Sequence, residues 1–494
     1  MPQTSAHRRA ARRSLALGAA ALAAFAAAAP ATPAAPLGIG DRLFPYLGNP
    51  GYDVENYDIA LRYHGNNRPL DAVTTVSARA TDTLHRVNLD FTHGTVRSVT
   101  VNGRRASFAT ADQDLVITPG AELPAGDRFE ITVRHTSDPR GPALGGWVRT
   151  KDGLVMANQA NAAHRVFPCN DHPSDKARLT FHVTAPKDLT VVAGGRRLGR
   201  HRHGTQTTWH YRGRHPVATE LVQLSIGRSA VIRHTGPGRV PLRDVVPAAD
   251  RAKLARWLRR TPGQLAWLQH RLGRYPFENY GVLIAEASTG FELETQTLSL
   301  FERDLFTTDG LPDWYVESVM LHELSHQWFG DSVSPRGWSD LWLNEGHATW
   351  YEALYAEHRG GPSLARRMRT AYAQSDAWRA QGGPPARPEP ASPDDQIGIF
   401  RPVVYDGGAL VLYALRQEIG RAAFGRLERD WVRHHRDGAA STTDFIHLAS
   451  HAAGRDLSGF LRPWLYGKKT PPMPGHRSWK PASEGAADRT AKPK

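Results

Sequence analysis

A single cysteine, Cys169, stands in this chain of 494 residues, so no intramolecular disulfide can form and stability must come from packing, or from metal. Cys169 itself is expected to be a small buried hydrophobe. Lysine is scarce, so the net charge of +14 is carried mainly by arginine. Those arginines are scattered, with no basic stripe interleaved with aromatics, which argues for a solvated surface and against a nucleic-acid partner. No internal repeat is present. Residues 15–29 are apolar but too few for a comfortable membrane span, and no cysteine follows them to accept a lipid. Preceded by the basic "HRRAARRS" and followed by "AAAAPATPAAP", they read as a secretory signal over residues 1–36, cleaved near 29–36. Arg12 and Arg13 leave a twin-arginine route open. A secreted protein without a stable membrane anchor is expected, and a monomer.

What the chain does have is a large apolar content, 40% with 13 Trp and 16 Phe, enough for a globular fold of two or three domains. From about residue 50 to 232 short alternating runs dominate. "SVTVNGRRASF" carries Asn102 and Gly103, the pair that closes a two-residue hairpin, and "LVITP", "FEITVRH", "RLTFHVTAP" and "LTVVAGG" continue the pattern. No helical pattern interrupts them, so residues 37–235 are read as an antiparallel β domain. After "TGPG" the period changes to that of helices, in "PAADRAKLARWLRRT", "DWYVESVMLHELSHQWFG", "LWLNEGHATWYEALYAEHRG", "PSLARRMRTAYAQSDAW", "VYDGGALVLYALRQEIG", "RAAFGRLERDWVRHH" and "TDFIHLASHAAG". Residues 236–478 are thus expected to be mainly helical, with a small strand element near "YGVLIAE". A proline-rich loop occupies 381–395, and the polar stretch 479–494 reads as a disordered tail.

The chemistry is concentrated in "LHELSHQWFGDSVSPRGWSDLWLNEGHA", residues 321–348. His322 and His326 are four apart on a predicted helix. They stand one turn, about 5.4 Å, from each other on one face, which suits two imidazoles sharing a cation. Glu323 is rotated about 100° from His322 and cannot readily ligate as well, yet it can reach a water on the metal. Catalytic zinc takes three protein ligands and keeps one position open, and Glu345 on the next helix can supply the third. A chance His-Glu-x-x-His is expected in about one such chain in twenty, and requiring the second helical Glu lowers that about tenfold.

"HELSHQWFGDSVSP" followed by "WLNEGHATWYE" resembles the zinc aminopeptidase family that includes aminopeptidase N and leukotriene hydrolase. That family's pattern is His-Glu-x-x-His, eighteen residues, then Glu within Asn-Glu-Gly. "FPCNDHPSDKARLTF" (167–181) and "VVYDGGALVLY" (403–413) are similar to its β domain and its tyrosine segment, so the likeness spans most of residues 50–470. The resemblance implies an α+β multidomain fold. An N-terminal antiparallel β-sandwich-like domain is followed by a mainly helical, thermolysin-like zinc peptidase domain. It further implies one zinc ion per chain on His322, His326 and Glu345, Glu323 as general base, and Tyr405 stabilising the tetrahedral intermediate. Glu294, in "GFELETQT" (290–297), takes the place of the glutamate in the family's Gly-Ala-Met-Glu-Asn and would bind the α-amino group of a peptide with a free N-terminus. Gln159 would contact the same amine.

Two departures stand out. Phe291, Glu292, Leu293 and Thr295 replace Gly, Ala, Met and Asn around Glu294, adding bulk and charge beside the cleft. The family's long C-terminal helical domain has no counterpart after "WLYGKKTPPMPG", so a more open site is expected. The function implied is release of the N-terminal residue from peptides by metal-activated water. The alternatives are a thermolysin-like endopeptidase, which shares the ligands and base, and a non-catalytic zinc-containing binding module, against which Glu323 and Tyr405 argue.

Overall fold

The computed structural model describes residues 37–482 except 142–144, 288, 393, 394 and 396; the expected signal segment and residues 483–494 lie outside the described residues. The first half of the chain builds a ten-stranded sheet. Its order is Arg196–His203, Gln206–Arg212, Arg178–Pro186, Tyr52–Arg62, Leu70–Ala80, Arg128–Ser137, Val96–Val101, Arg104–Ala111, Asp114–Thr118 and Val87–Asp90. Neighbours run antiparallel as expected, save that Tyr52–Arg62 pairs in parallel with Arg178–Pro186. Along Leu70–Ala80 every second side chain is buried, the period-2 signature of a sheet with one face on a core. The Asn102–Gly103 turn has φ of 50° and 76°, the positive pair that a two-residue hairpin requires.

A four-stranded sheet of Thr190–Ala193, Leu224–Gly227, Leu154–Ala157 and Gly146–Arg149 covers this core. In Leu154–Ala157 the side chains divide: Leu154 and Met156 join the core of the large sheet, while Val155 and Ala157 pack with Val245, Leu283, Leu293 and Leu300 beyond. A strand buried on both faces reads as a continuous apolar run. Cys169 is buried in the same region, as expected.

A third sheet supports the helices. Its order is Ser229–Thr235, Pro241–Pro247, Val282–Ala285 and Ser299–Glu302, the last three parallel. Parallel neighbours need a crossover, and Arg251–Leu258 and Thr261–Leu272 provide one between Pro241–Pro247 and Val282–Ala285. The boundary expected between 235 and 236 therefore divides a hairpin, because Ser229–Thr235 pairs along its whole length with Pro241–Pro247. Connection 286–298, between the last two strands, has no helix among its described residues and doubles back so that Leu293 bridges Leu300 antiparallel at the sheet's edge.

The remaining helices surround Trp342–His358, which is buried on nearly all sides. Asp313–Ser325 packs against it on one flank and Asp406–His434 on another, the latter broken at Gly420 (φ 81°), so the two expected helices meet there. Ser458–Tyr466, not expected from the sequence, closes the array. Residues 479–482, assigned to the disordered tail, are instead held. Trp479 stacks on Tyr413 at 5.8 Å and on His476 at 4.1 Å, and the Ala482 amide donates to the Ala373 carbonyl. One tryptophan supplies apolar area that the polar composition around it concealed.

Candidate active site

His322 lies in the last turn of Asp313–Ser325 and His326 caps its end, their rings 4.7 Å apart. Glu345 lies in the first turn of Trp342–His358. One carboxylate oxygen of Glu345 stands 3.4 Å from His322 Nε2 and 3.5 Å from His326 Nε2. Three donors about 2.0–2.1 Å from a tetrahedral ion stand about 3.3–3.4 Å from one another. The two separations observed are close to the edges of such a tetrahedron.

The other ring nitrogens are engaged, which fixes the tautomers. His322 Nδ1–H donates to Glu352 at 3.0 Å, and His326 Nδ1–H faces the Phe329 carbonyl at 3.1 Å and the Asn344 side-chain oxygen. Each Nε2 lone pair is thereby left for a metal. Glu352 in turn accepts from Arg367 at 2.8 Å, and Arg367 donates to Asp406 at 2.9 Å, next to Tyr405. Glu352 was missed in the sequence, although its spacing of seven from Glu345 puts both on one helical face. Burial disfavours the His322 imidazolium, but hydrogen bonds to Glu345 and Glu352 carry its pKa up to about 10, so a metal bound at Nε2 takes the place of a proton there. A buried pocket so rich in carboxylate calls for a cation, and His322, His326 and Glu345 fit a divalent ion.

Glu323 is buried, and its Oε2 has no hydrogen-bond partner among the described residues. Burial raises its pKa well above the usual range; His322 opposes this, and Glu294, Glu292 and Glu345 add to it. The unpartnered Glu323 oxygen is placed to take a proton from a water beside the three ligands. Tyr405 is half-buried at the start of Asp406–His434, its ring 6.0 Å from that of His322 and stacked at 23°. Burial, then the charges of Glu345, Glu294, Glu323 and Glu352, push its pKa well up, so the phenol keeps its proton and can donate.

Glu294 is 2% exposed. Gln159 donates to its Oε1 at 2.9 Å and Asn344 at 3.0 Å, while Gln327 holds its backbone carbonyl at 3.0 Å. Asn344, also missed in the sequence, thus ties a metal ligand to Glu294. It fits because Gly330 (φ 124°) has no side chain: a Cβ there would stand 2.1 Å from the Asn344 oxygen. Ligand atoms of Glu294, Glu323 and His326 all lie within 4.8 Å of one another. All seven residues singled out from the sequence are therefore brought together at one place in the fold. His347, His164, Trp328 and Trp338, given no role there, are buried in packing; His347 stacks on Phe329 at 4.3 Å.

Two family models match, the peptidase M1 N-terminal domain over residues 53–221 and the peptidase family M1 domain over 260–464. The chain belongs to peptidase family M1. This M1 chain is 26% identical over 436 residues to aminopeptidase N of Streptomyces lividans, covering 83% of its own length and 50% of that protein. It is 24% identical to leukotriene A-4 hydrolase of Xenopus laevis, covering 61% and 51%. The M1 chain thus spans about half the length of the curated relatives it matches. Among solved structures, the M1 zinc metallopeptidase of Deinococcus radiodurans superposes with a TM-score of 0.74 at 29% identity, covering 90% of this chain and 99% of that one. A mutant of that enzyme bound to a Tyr-Ser-Ala substrate gives 0.74 at 28% identity, covering 88% and 99%. Zinc is the cofactor of M1 metallopeptidases, and the tetrahedral donor set of this M1 chain fits it.

Proposed function

We propose that this protein is a zinc-dependent aminopeptidase that removes the first residue from peptides with a free N-terminus. The observation that carries the reading is the position of Glu294, a buried carboxylate held by neutral amides within 4.8 Å of Glu323 and His326. An α-ammonium bound there leaves room for a single residue before the peptide bond meets the metal ligands. An internal peptide segment would leave that carboxylate buried and unpaired, a cost of several kcal/mol. The relatives named aminopeptidases support the same reading.

Zinc, when bound, polarises a carbonyl and lowers the pKa of a coordinated water to about 7. Glu323 accepts the proton of the attacking water and returns it to the departing amine. The Tyr405 hydroxyl donates to the carbonyl oxygen as charge gathers there. Glu352 holds His322 in the tautomer that presents Nε2, and Gln159 and Asn344 aim Glu294 at the amine.

The test is removal of metal by a chelator and zinc add-back, read with leucine-aminocoumarin amide and its N-acetylated form. Cleavage of the free amine alone, lost and regained with zinc, is the expected result. Activity unchanged after verified metal removal, or equal cleavage of the acetylated form, would overturn the reading. The proposal extends to export: residues 1–36 act as a leader, and N-terminal sequencing of the mature protein from culture medium tests this. No helix among the described residues is long and apolar enough to cross a membrane.

A further inference from the structure

We propose that Glu292 makes the enzyme prefer peptides whose second residue carries a positive charge. The inference rests on the aminopeptidase reading and adds the substrate class to it.

Residues 291–294 lie at the outer edge of the third sheet, joined to it by a single bridge at Leu293. The Leu293 amide donates to the Leu300 carbonyl at 2.9 Å, and the Leu300 amide donates back at 2.7 Å. Phe291 and Leu293 both pack on the apolar cluster with Val155, Leu283 and Leu300. With Phe291 and Leu293 turned to that cluster and Glu294 turned to the site, Glu292 between them is set on the side of Glu294. Glu292 is half-buried there, and its charge is felt at Glu323. Just upstream, Glu302 gathers the amides of Thr289 and Gly290, at 2.8 Å for Gly290, which fixes the start of the edge.

The direction of the substrate follows from what is closed and what is open. Past Glu294 the chain turns inward: Thr295, Gln296 and Thr297 are buried, and the Gln296 amide is bound to the Leu221 carbonyl. Gln159 and Asn344 close the same end. Before Glu294 the edge is half-exposed at Phe291 and Glu292. A peptide with its amine on Glu294 and its first carbonyl beside Glu323 can therefore run only towards Glu292. Two residues of extended chain cover about 6.7 Å, which carries a paired peptide from its amine to its second residue. Glu292 then faces that residue's side chain in a cleft where water is partly excluded, and a guanidinium or ammonium is the group a carboxylate there rewards. A carboxylate that merely solvates the sheet edge would confer no such selection.

The experiment compares release of leucine from Leu-Arg-Ala, Leu-citrulline-Ala and Leu-Glu-Ala. Citrulline has nearly the shape of arginine without its charge. For the wild-type zinc enzyme kcat/KM should be about five- to tenfold higher for arginine than for citrulline, lowest for glutamate, and the preference should shrink as salt is added. In Glu292→Gln the arginine-to-citrulline ratio should fall to within about twofold of one, and in Glu292→Lys the order of arginine and glutamate should reverse. A wild-type ratio near one, a ratio unaffected by Glu292→Gln, or a charge preference expressed only at the first residue would overturn the proposal. The wild-type ratio and its salt dependence require no variant, so misfolding of a mutant does not protect the idea. Leucine-aminocoumarin amide has no second residue and reports the aminopeptidase reading separately. Failure to cleave it or the peptides would overturn that reading and this inference together, whereas cleavage without discrimination would overturn this inference alone.

Discussion

At the metal end of the site charge is met with charge, and at the amine end it is not. His322 leans on Glu352, Glu352 on Arg367 and Arg367 on Asp406, so the imidazole is held by an ionic chain that reaches the residue beside Tyr405. Among the described residues Glu294 is hydrogen-bonded by the amides of Gln159, Asn344 and Gln327, which orient it without supplying a compensating charge. The ionic chain fixes a geometry that must not change during turnover. On the aminopeptidase reading, the neutral cradle leaves Glu294 to be matched by the ammonium of a substrate. Removal of a support should therefore cost metal affinity at one end and amine recognition at the other.

The comparison can be broken most severely at the metal end. Glu345→Gln should lose stoichiometric zinc by elemental analysis and lower kcat/KM by at least about 1000-fold, since the several kcal/mol of Lewis-acid stabilisation go with the ion. At the amine end, Glu294→Ala should keep its zinc yet lose about 100-fold or more in kcat/KM on free-amine substrates, consistent with truncating one partner of a buried charge pair. Equal losses on acetylated substrates would show that Glu294 shapes the site rather than reading the amine. Glu352→Gln sharpens the contrast, because it should weaken zinc binding by about 10- to 100-fold in a chelator titration while amine discrimination persists.

The last prediction concerns stability rather than turnover, at Glu220, whose carboxyl lies near enough to Glu294 for the two to repel if both ionised. Burial raises its pKa to about 8, so the folded protein keeps this carboxyl neutral. Between the unfolded value near 4.5 and about 8 the folded state binds the extra proton. Stability from this group is therefore complete below the lower value and fades as pH rises through the higher one. Melting curves of Glu220→Gln should lack that decline, worth on the order of a few kcal/mol at alkaline pH. An identical pH profile in the variant would mean that Glu220 is ionised in the fold, and that the amine end is more negative than described.

Much of this arrangement was legible in the sequence because helical periodicity is local. His322 and Glu323 share the last turn of one helix that His326 caps, and their mutual geometry needs no knowledge of the rest of the chain. Asn102 and Gly103 announced their turn for the same reason. The parallel strands Pro241–Pro247 and Ser299–Glu302 escaped notice because short buried apolar runs carry no alternation to separate strand from helix. The hairpin that starts at Ser229 is split by the expected boundary, since its two halves flank a change of pattern without sharing it. Glu352 and Arg367 were legible only in part, because helix phase gives a facing direction but not what is faced. Glu294 rested on resemblance alone; its cradle joins residues from 159 to 344, which no local pattern can bring together.

Gly346 and Gly408 explain why the zinc-ligand motif and the tyrosine motif each carry a glycine. The two helices cross there so closely that a Cβ on Gly346 would stand 2.9 Å from the Gly408 backbone, and one on Gly408 only 2.8 Å from Gly346 Cα. Glu345 and Tyr405 are therefore spaced by main chain against main chain, a gauge that no rotamer can adjust. An engineer seeking a roomier pocket cannot obtain it by trimming side chains at this crossing, and even one added methyl would part the base of the catalytic cup.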